Sequence, residues 1–250
     1  MNAHITSLGK PMGTGFKAQP SRHLWRTAAC AAALTLLAGA AQSATLRMVN
    51  GSVEVVRDGV TLPAFKGLKL KKGDILQSAA ADPTQPGSEN GGEALVRFDD
   101  GARMALRGGS TVELQQLQLT GPRRERQKIL SVITGALRYI SGVATVRQKV
   151  SFVTSTATIG IRGTDIEIVV TPEAVEDNNP GTYLKVNTGA AVLTASDGAK
   201  VDVAPGEVAY GGEPELTSRG KGGTRRASAR MVDVAASGVF KASGLDKLMQ

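Results

Sequence analysis

The sequence predicts an all-β domain, and three observations carry that reading. From Thr45 onward, short segments alternating apolar and polar residues recur about every ten residues, divided by Gly and Asp-Gly turns. No stretch before Arg230 sustains a 3.6-residue apolar period. The segment Val150 to Thr171 reads as two extended runs. Val153, Ala157, Ile159 and Ile161 share one side of the first, and Ile166, Ile168 and Val170 form the inward side of the second. The parity changes at Arg162-Gly163. A shift of one residue turns every side chain of a strand to its other face, so the backbone must bend or bulge there, and Gly163 tolerates the bend. Two strands joined at a corner are expected, with Asp165 and Glu167 pointing to water.

In chain order, residues 1–44 read as an export signal. Lys10, Lys17, Arg22 and Arg26 precede the apolar run Thr27 to Ala41 with no acidic residue among them, and small residues from Gly39 to Ala44 offer a cleavage site. That run is 15 residues long, short of the ~20 that cross a bilayer as a helix. The membrane is expected to be met only through this leader, if it is not cut. Residues 45–216 form the expected β domain. Val53 and Val55 alternate with Glu54 before Asp58-Gly59; Leu68 and Leu70 lead to the turn Lys72-Gly73-Asp74 and then Ile75-Leu76. Val96 and Phe98 precede a two-residue hairpin at Asp100-Gly101, and Met104 and Leu106 return. Val112 and Leu114, Ile129 to Thr134, Ala136 to Ile140, Tyr183 to Val186, Ala190 to Ala195, and Val201 with Val203 complete the strands. Ala79 to Gly92 and Glu173 to Gly181 read as polar surface loops. Residues 217–250 read as a basic linker followed by a weak C-terminal helix.

Composition narrows the chemistry. His4, His23, Trp25 and Cys30 all lie in the leader, so the expected exported chain has no His, Cys or Trp. Imidazole and thiolate nucleophiles, their metal sites and disulfides are then excluded by inventory. No catalytic, cofactor or metal residue is assigned, and the expectation is a protein that is not an enzyme. The formal charge of +8 belongs mostly to the leader and to Arg219, Lys221, Arg225, Arg226 and Arg230. The body is near neutral and gives no nucleic-acid footprint.

The two ends of the body echo each other. Gly51, Asp58-Gly59 and Lys72-Gly73-Asp74 recur in order as Gly189, Asp197-Gly198 and Pro205-Gly206-Glu207, as a repeated rung of a solenoid or roll would produce.

An ordered set of residues carries a family resemblance. Gly51-Ser52-Val53, Gly73-Asp74, Phe98-Asp99-Asp100-Gly101 and Gly135-Ala136-Leu137 come first. Thr154, Ala157, Gly160, Arg162, Gly163 and Thr164 follow, then Val186 with Gly189 and Pro205-Gly206-Glu207. Over about residues 46–210 the chain resembles the FecR-like periplasmic domain. The resemblance implies an all-β fold close to a short twisted β-solenoid or roll of antiparallel and stacked short strands, and a periplasmic location. The family's namesake is a transmembrane sensor that faces a TonB-dependent iron-siderophore receptor outside and controls an extracytoplasmic-function sigma factor inside. Here only about 26 residues precede the apolar run, too few for a folded cytoplasmic module, so a free-standing exported protein is expected.

Arg162 has two readings: a contact to a ligand or partner carboxylate, or a guanidinium that bonds carbonyls freed at the corner or pairs with an Asp. The structural reading is favoured, with a cost of ~3–5 kcal/mol for Arg162→Ala if the group is buried and paired. Thr154, Thr156 and Thr158 would form a threonine ladder on one strand face, read as ordinary strand formers rather than a binding face. Glu173, Glu176, Asp177 and Asn178 lack calcium-loop spacing and read as a solvated loop. Arg123, Arg124, Arg126 and Lys128 read as a solvated basic turn. The expected function is contact with an unknown envelope protein or cell-wall component, with signal transduction as the role the resemblance implies. A cell-wall or polysaccharide-binding module is the alternative, and a carboxylate-dependent hydrolase a distant third.

Overall fold

In the computed structural model, described here for residues 44–82, 84, 91–119, 121–142, 148–174, 178–213, 216–217, 224–225, 228–233, 238–240 and 249, the chain is all-β. The leader and most of the basic run Arg219 to Arg230 lie outside the described residues. Strand β1 (Ala44–Asn50) lies between the short β4 (Lys69–Leu70) and β6 (Glu93–Phe98), and β6 turns back into β7 (Arg103–Leu106). Strand β2 (Val53–Arg57) turns into β3 (Val60–Pro63) and pairs on its other edge with β5 (Ile75–Ser78), which pairs with β8 (Thr111–Gln118). Three long or linking strands follow, β9 (Gln127–Ile140), β10 (Lys149–Val153) and β11 (Ala157–Thr171), and then β12 (Gly181–Ala195), β13 (Lys200–Val203) and β14 (Val208–Gly211). A separate hairpin of β15 (Leu216–Thr217) and β16 (Thr224–Arg225) precedes β17 (Ala229–Val232). Apart from that hairpin the strands form one fifteen-stranded sheet. Its described pairings are antiparallel except for β9 with β10.

Three strands pass through a bend that carries them from one layer of this sheet to the other, and each has a positive-φ glycine at the bend: Gly135 in β9, Gly163 in β11 and Gly189 in β12. The buried set changes parity at each. In β9 it passes from Lys128, Leu130 and Val132 to Leu137 and Tyr139; in β12 from Leu184 and Val186 to Ala191 and Leu193. In β11 the register shifts between Arg162 and Asp165, the bulge that the parity of its apolar residues predicts. The front layer runs β3-β2-β5-β8-β9-β10-β11-β12-β13, and the back layer β4-β1-β6-β7-β9-β11-β12-β14-β17. Strand β10 is a wedge that separates β9 from β11 in the front layer only; behind the bend those two strands pair directly, Val170 opposite Gly135.

One distance shows how sharply the layers fold over. Lys128 and Tyr139 lie 11 residues apart in β9, and a straight strand would separate them by ~36 Å. Instead the Lys128 Nζ donates to the Tyr139 hydroxyl at 2.9 Å. Ser110 fixes this bend: its buried hydroxyl bonds both the N–H and the carbonyl of Ala136, each at 3.0 Å. A Cβ at Gly135 would stand 2.4 Å from the Ser110 Cα, so only glycine fits. Between the layers Tyr139 packs edge-on against Phe152 at 5.2 Å and beside Phe98 at 6.1 Å.

Several expectations change. Val150 and Phe152, not Val153, are the inward residues of β10, because the chain reverses at Thr154–Thr156 and Phe152 pairs with Ile159. The corner at Gly163 is a bulge inside one strand, not a junction between two. Glu167 does not point to water: it is buried, because the back layer is covered on its outer side as well. Val239 and Phe240 pack there on Val169, Tyr183 and Tyr210, and Met249 packs on Ala105. The sheet therefore runs past residue 216, since β17 pairs with β14. Gly238–Phe240 form a 3-10 turn, and residues 241–248 lie outside the described residues. The Asp-Gly hairpin has three loop residues, Asp99 to Gly101, because Phe98 and Ala102 still bond across it at 2.9 Å.

Candidate functional site

The motif Thr154, Ala157, Gly160, Arg162, Gly163, Thr164 divides into residues the fold uses and residues it does not. At the β10–β11 turn, the Thr154 hydroxyl accepts the Ala157 N–H at 2.9 Å and lies 2.7 Å from the Thr182 hydroxyl. Thr156 reaches the same Thr182 at 2.8 Å and donates to the Gly211 carbonyl at 2.9 Å. These two threonines tie the turn to β12 and β14. Thr158 is exposed on β11 beyond the turn, so the three do not form a ladder. Ala157 is core. Gly163 supplies the positive φ of the bulge, and Thr164 after it is buried, its backbone exchanging bonds with Ser141 at 2.9 and 3.1 Å.

Arg162 and Gly160 remain, and the fold explains neither. Arg162 is exposed, and its side chain has no partner among the described residues. The expectation of a buried, paired corner arginine is corrected: the bulge carries Arg162 outward, and the paired guanidinium at the bend belongs to Arg138. Its Nε and Nη2 donate to the two Asp165 carboxylate oxygens at 2.9 and 2.6 Å, a bidentate pair. Asn187 joins Asp165 to Glu167, at 3.3 and 3.0 Å, and Lys185 closes the chain on Glu167 at 3.2 Å. Gly160 has no positive φ, and a Cβ there would meet nothing within 4 Å. Neither backbone nor space requires a glycine, which weakens a strand interior.

Both residues line a groove of about 730 Å³ on the outer side of the front layer. Its floor follows the strand register. One row crosses five strands through Ile129, Ser151, Gly160, Val192 and Asp202. The next row pairs Gln127 with Lys149 and Arg162 with Ala190. Among the described residues the lining is mostly small or aliphatic, with Pro205 beside it and no aromatic side chain. Sequence reasoning left Lys149, Ser151, Val192 and Asp202 unassigned. The signal that could have found them is the presence of Ile129 and Val192 at outward-facing positions, where alternation calls for polar residues.

A second cluster sits between the layers. Lys128 is not part of a solvated turn; its side chain is 0% exposed, and the Asp100 carboxylate 2.9 Å away is 4% exposed. The ammonium also lies 3.9 Å from the centre of the Phe98 ring. Burial pulls the Lys128 pKa down to about 8, against the charge and hydrogen bond of Asp100. Burial, reinforced by Asp100, pushes the Tyr139 phenol up. The arrangement is closed to solvent and joins the hairpin tip to β9. Of the acidic loop, Glu173 is exposed and Glu176 and Asp177 lie outside the described residues.

No family model and no curated protein matches the chain. Two crystal structures of a "putative anti-sigma factor" from Parabacteroides distasonis ATCC 8503, at 1.65 and 2.50 Å resolution, are similar to it at 11% identity with TM-scores of 0.42 and 0.41. The similarity covers 64% of this chain and 60% of those chains.

Proposed function

We propose that this chain is an exported, non-enzymatic protein similar to the FecR-like periplasmic domain, and that it acts in signal transduction at the cell envelope by holding another protein. The observation that carries the reading is the groove over Gly160 and Arg162. Both residues belong to the motif that the family resemblance rests on, neither serves the fold, and both face solvent on a floor of bonded strands. A rigid sheet that presents unpaired polar groups beside aliphatic surface is suited to recognition. The inventory of the expected exported chain, without His or Cys, supports binding rather than covalent chemistry.

A photo-crosslinking amino acid placed at Val192, in cells that make the full chain, tests this. The expected result is a discrete protein adduct, absent when the probe sits at exposed Val60 on β3. Adducts to glycan strands alone would support the cell-wall module instead, and no adduct at all would overturn the binding reading. N-terminal sequencing of the secreted protein is expected to begin near Thr45.

A further inference from the structure

What the groove holds can be read from its charge, and this step rests on the binding reading above. Lys149 on β10 and Arg162 on β11 occupy the register step beyond Val150 opposite Ile161, so they stand across from one another on the outer face. Both are exposed, and neither side chain has an ion pair or hydrogen bond among the described residues. Like charges directly opposite on a sheet weaken it. The acid in the groove lining, Asp202, sits in the other row and two strands away on β13. Next to the two cations the floor is bare at Gly160 and low at Ser151 and Ala190, with Ile129 and Val192 on either side.

We propose that the groove binds an acidic peptide segment of a partner protein, with one carboxylate across Lys149 and Arg162 and a neighbouring aliphatic side chain over Gly160. The arginine fork matches a carboxylate in bidentate geometry, and the lysine adds a point charge. The glycine leaves the depth that an aliphatic side chain fills. With no aromatic side chain among the described residues of the lining on which a sugar ring could stack, a glycan is the poorer fit.

A random-peptide display library selected against the immobilised full chain is the probe. Arg162→Gln and Gly160→Val serve as counter-selections, and thermal melting checks that each variant stays folded. Enriched peptides are expected to pair Asp or Glu with an adjacent aliphatic residue. A synthetic winner should bind on the order of tenfold more weakly when its acid becomes the amide, and similarly on Arg162→Gln. Gly160→Val, which leaves both cations in place, should also weaken it, and added salt should raise Kd. Absence of acidic winners, or winners that bind Arg162→Gln equally well, overturns the proposal. So does sedimentation with purified cell wall that depends on Arg162, which would assign the groove to a glycan carboxylate. If crosslinking from Val192 traps a protein while acid peptides show no preference, this inference fails and the binding reading stands; if both experiments are empty, both fail.

Discussion

Lys128 and Asp100 form an ion pair out of reach of water, and two opposed free energies set its worth. Desolvation costs several kcal/mol per ion, while the partner charge, the Tyr139 hydroxyl and the face of Phe98 return part of it. Removing one partner strands the other, so Asp100→Ala should destabilise the protein by ~3–5 kcal/mol in urea melts. The pair replaced together, Lys128→Met with Asp100→Asn, should cost far less than the two single changes added. The amine also sets a pH dependence. Its folded pKa of about 8 lies below the ~10.4 of an unfolded lysine. Between those values the unfolded chain holds a proton that the folded chain has released, so stability rises with pH from about 8. Tyr139, raised by burial first and Asp100 second, keeps its proton when the unfolded phenol loses it, so stability falls again above ~10. A wild-type profile flat from neutral pH to ~10, or an unchanged rise in Lys128→Met, would refute this account. Lys128 was legible through its parity with Leu130 and Val132, but counting charge along Arg123, Arg124 and Arg126 hides that parity. The opposite holds for Arg162. With its side chain in solvent, Arg162→Ala should move stability by no more than ~0.5 kcal/mol, whereas Arg138→Ala removes a bidentate pair and should cost ~1.5–3 kcal/mol.

At the scale of elements, three bent strands decide the architecture, and glycines decide the bends. A residue with a Cβ at Gly189 would be strained at φ +85 and would meet the Gly163 carbonyl at 2.6 Å. Gly189→Ala should therefore lose ~2–4 kcal/mol, combining the cost of positive φ with overpacking. Gly160→Ala, in the same sheet with neither constraint, should stay within ~1 kcal/mol of wild type. Chemical denaturation of the two variants side by side tests whether the bend or merely the loss of glycine matters. The bulge in β11 was legible because apolar residues flank it and change parity. The bends in β9 and β12 read as gaps between separate strands, since a glycine signals a turn and a bend with the same letter. Of the echo between the ends, one turn is alike in structure: Asp74 accepts the Lys71 N–H and Glu207 the Ala204 N–H, each at 2.8 Å and three residues back, whereas Gly51 precedes β2 and Gly189 lies inside β12. Asp74 then takes the Arg57 guanidinium at 2.8 and 2.6 Å. Strands β3, β14 and β17 escaped the sequence reading because none sets a buried row against an exposed one: all four residues of β14 are buried, β3 is almost wholly exposed, and in β17 Ala229 alone is buried. The groove is a property of register: Gly160, Lys149 and Arg162 become neighbours only once β10 and β11 are paired.

At the scale of the molecule, the layers share β9, β11 and β12 and one continuous core from Ala44 to Ala229. A local loss in either layer breaks strands of the other, so unfolding should be a single cooperative transition. Far-ultraviolet circular dichroism and tyrosine absorbance should give coincident urea curves, since Tyr139 reports the interior and Tyr183 and Tyr210 the outer side of the back layer. Separate midpoints would show that the layers are independent.

The doubled-back course of β9 leaves no seam along which the chain could be parted. A fragment ending in front of Gly135 would keep Lys128 but lose the hydroxyl that holds it, and a fragment beginning behind Gly135 would lose the amine. Neither piece could be traded between relatives as a module. Reporters and affinity tags belong instead at tips such as Asp197-Gly198, an exposed turn that links only the neighbours β12 and β13.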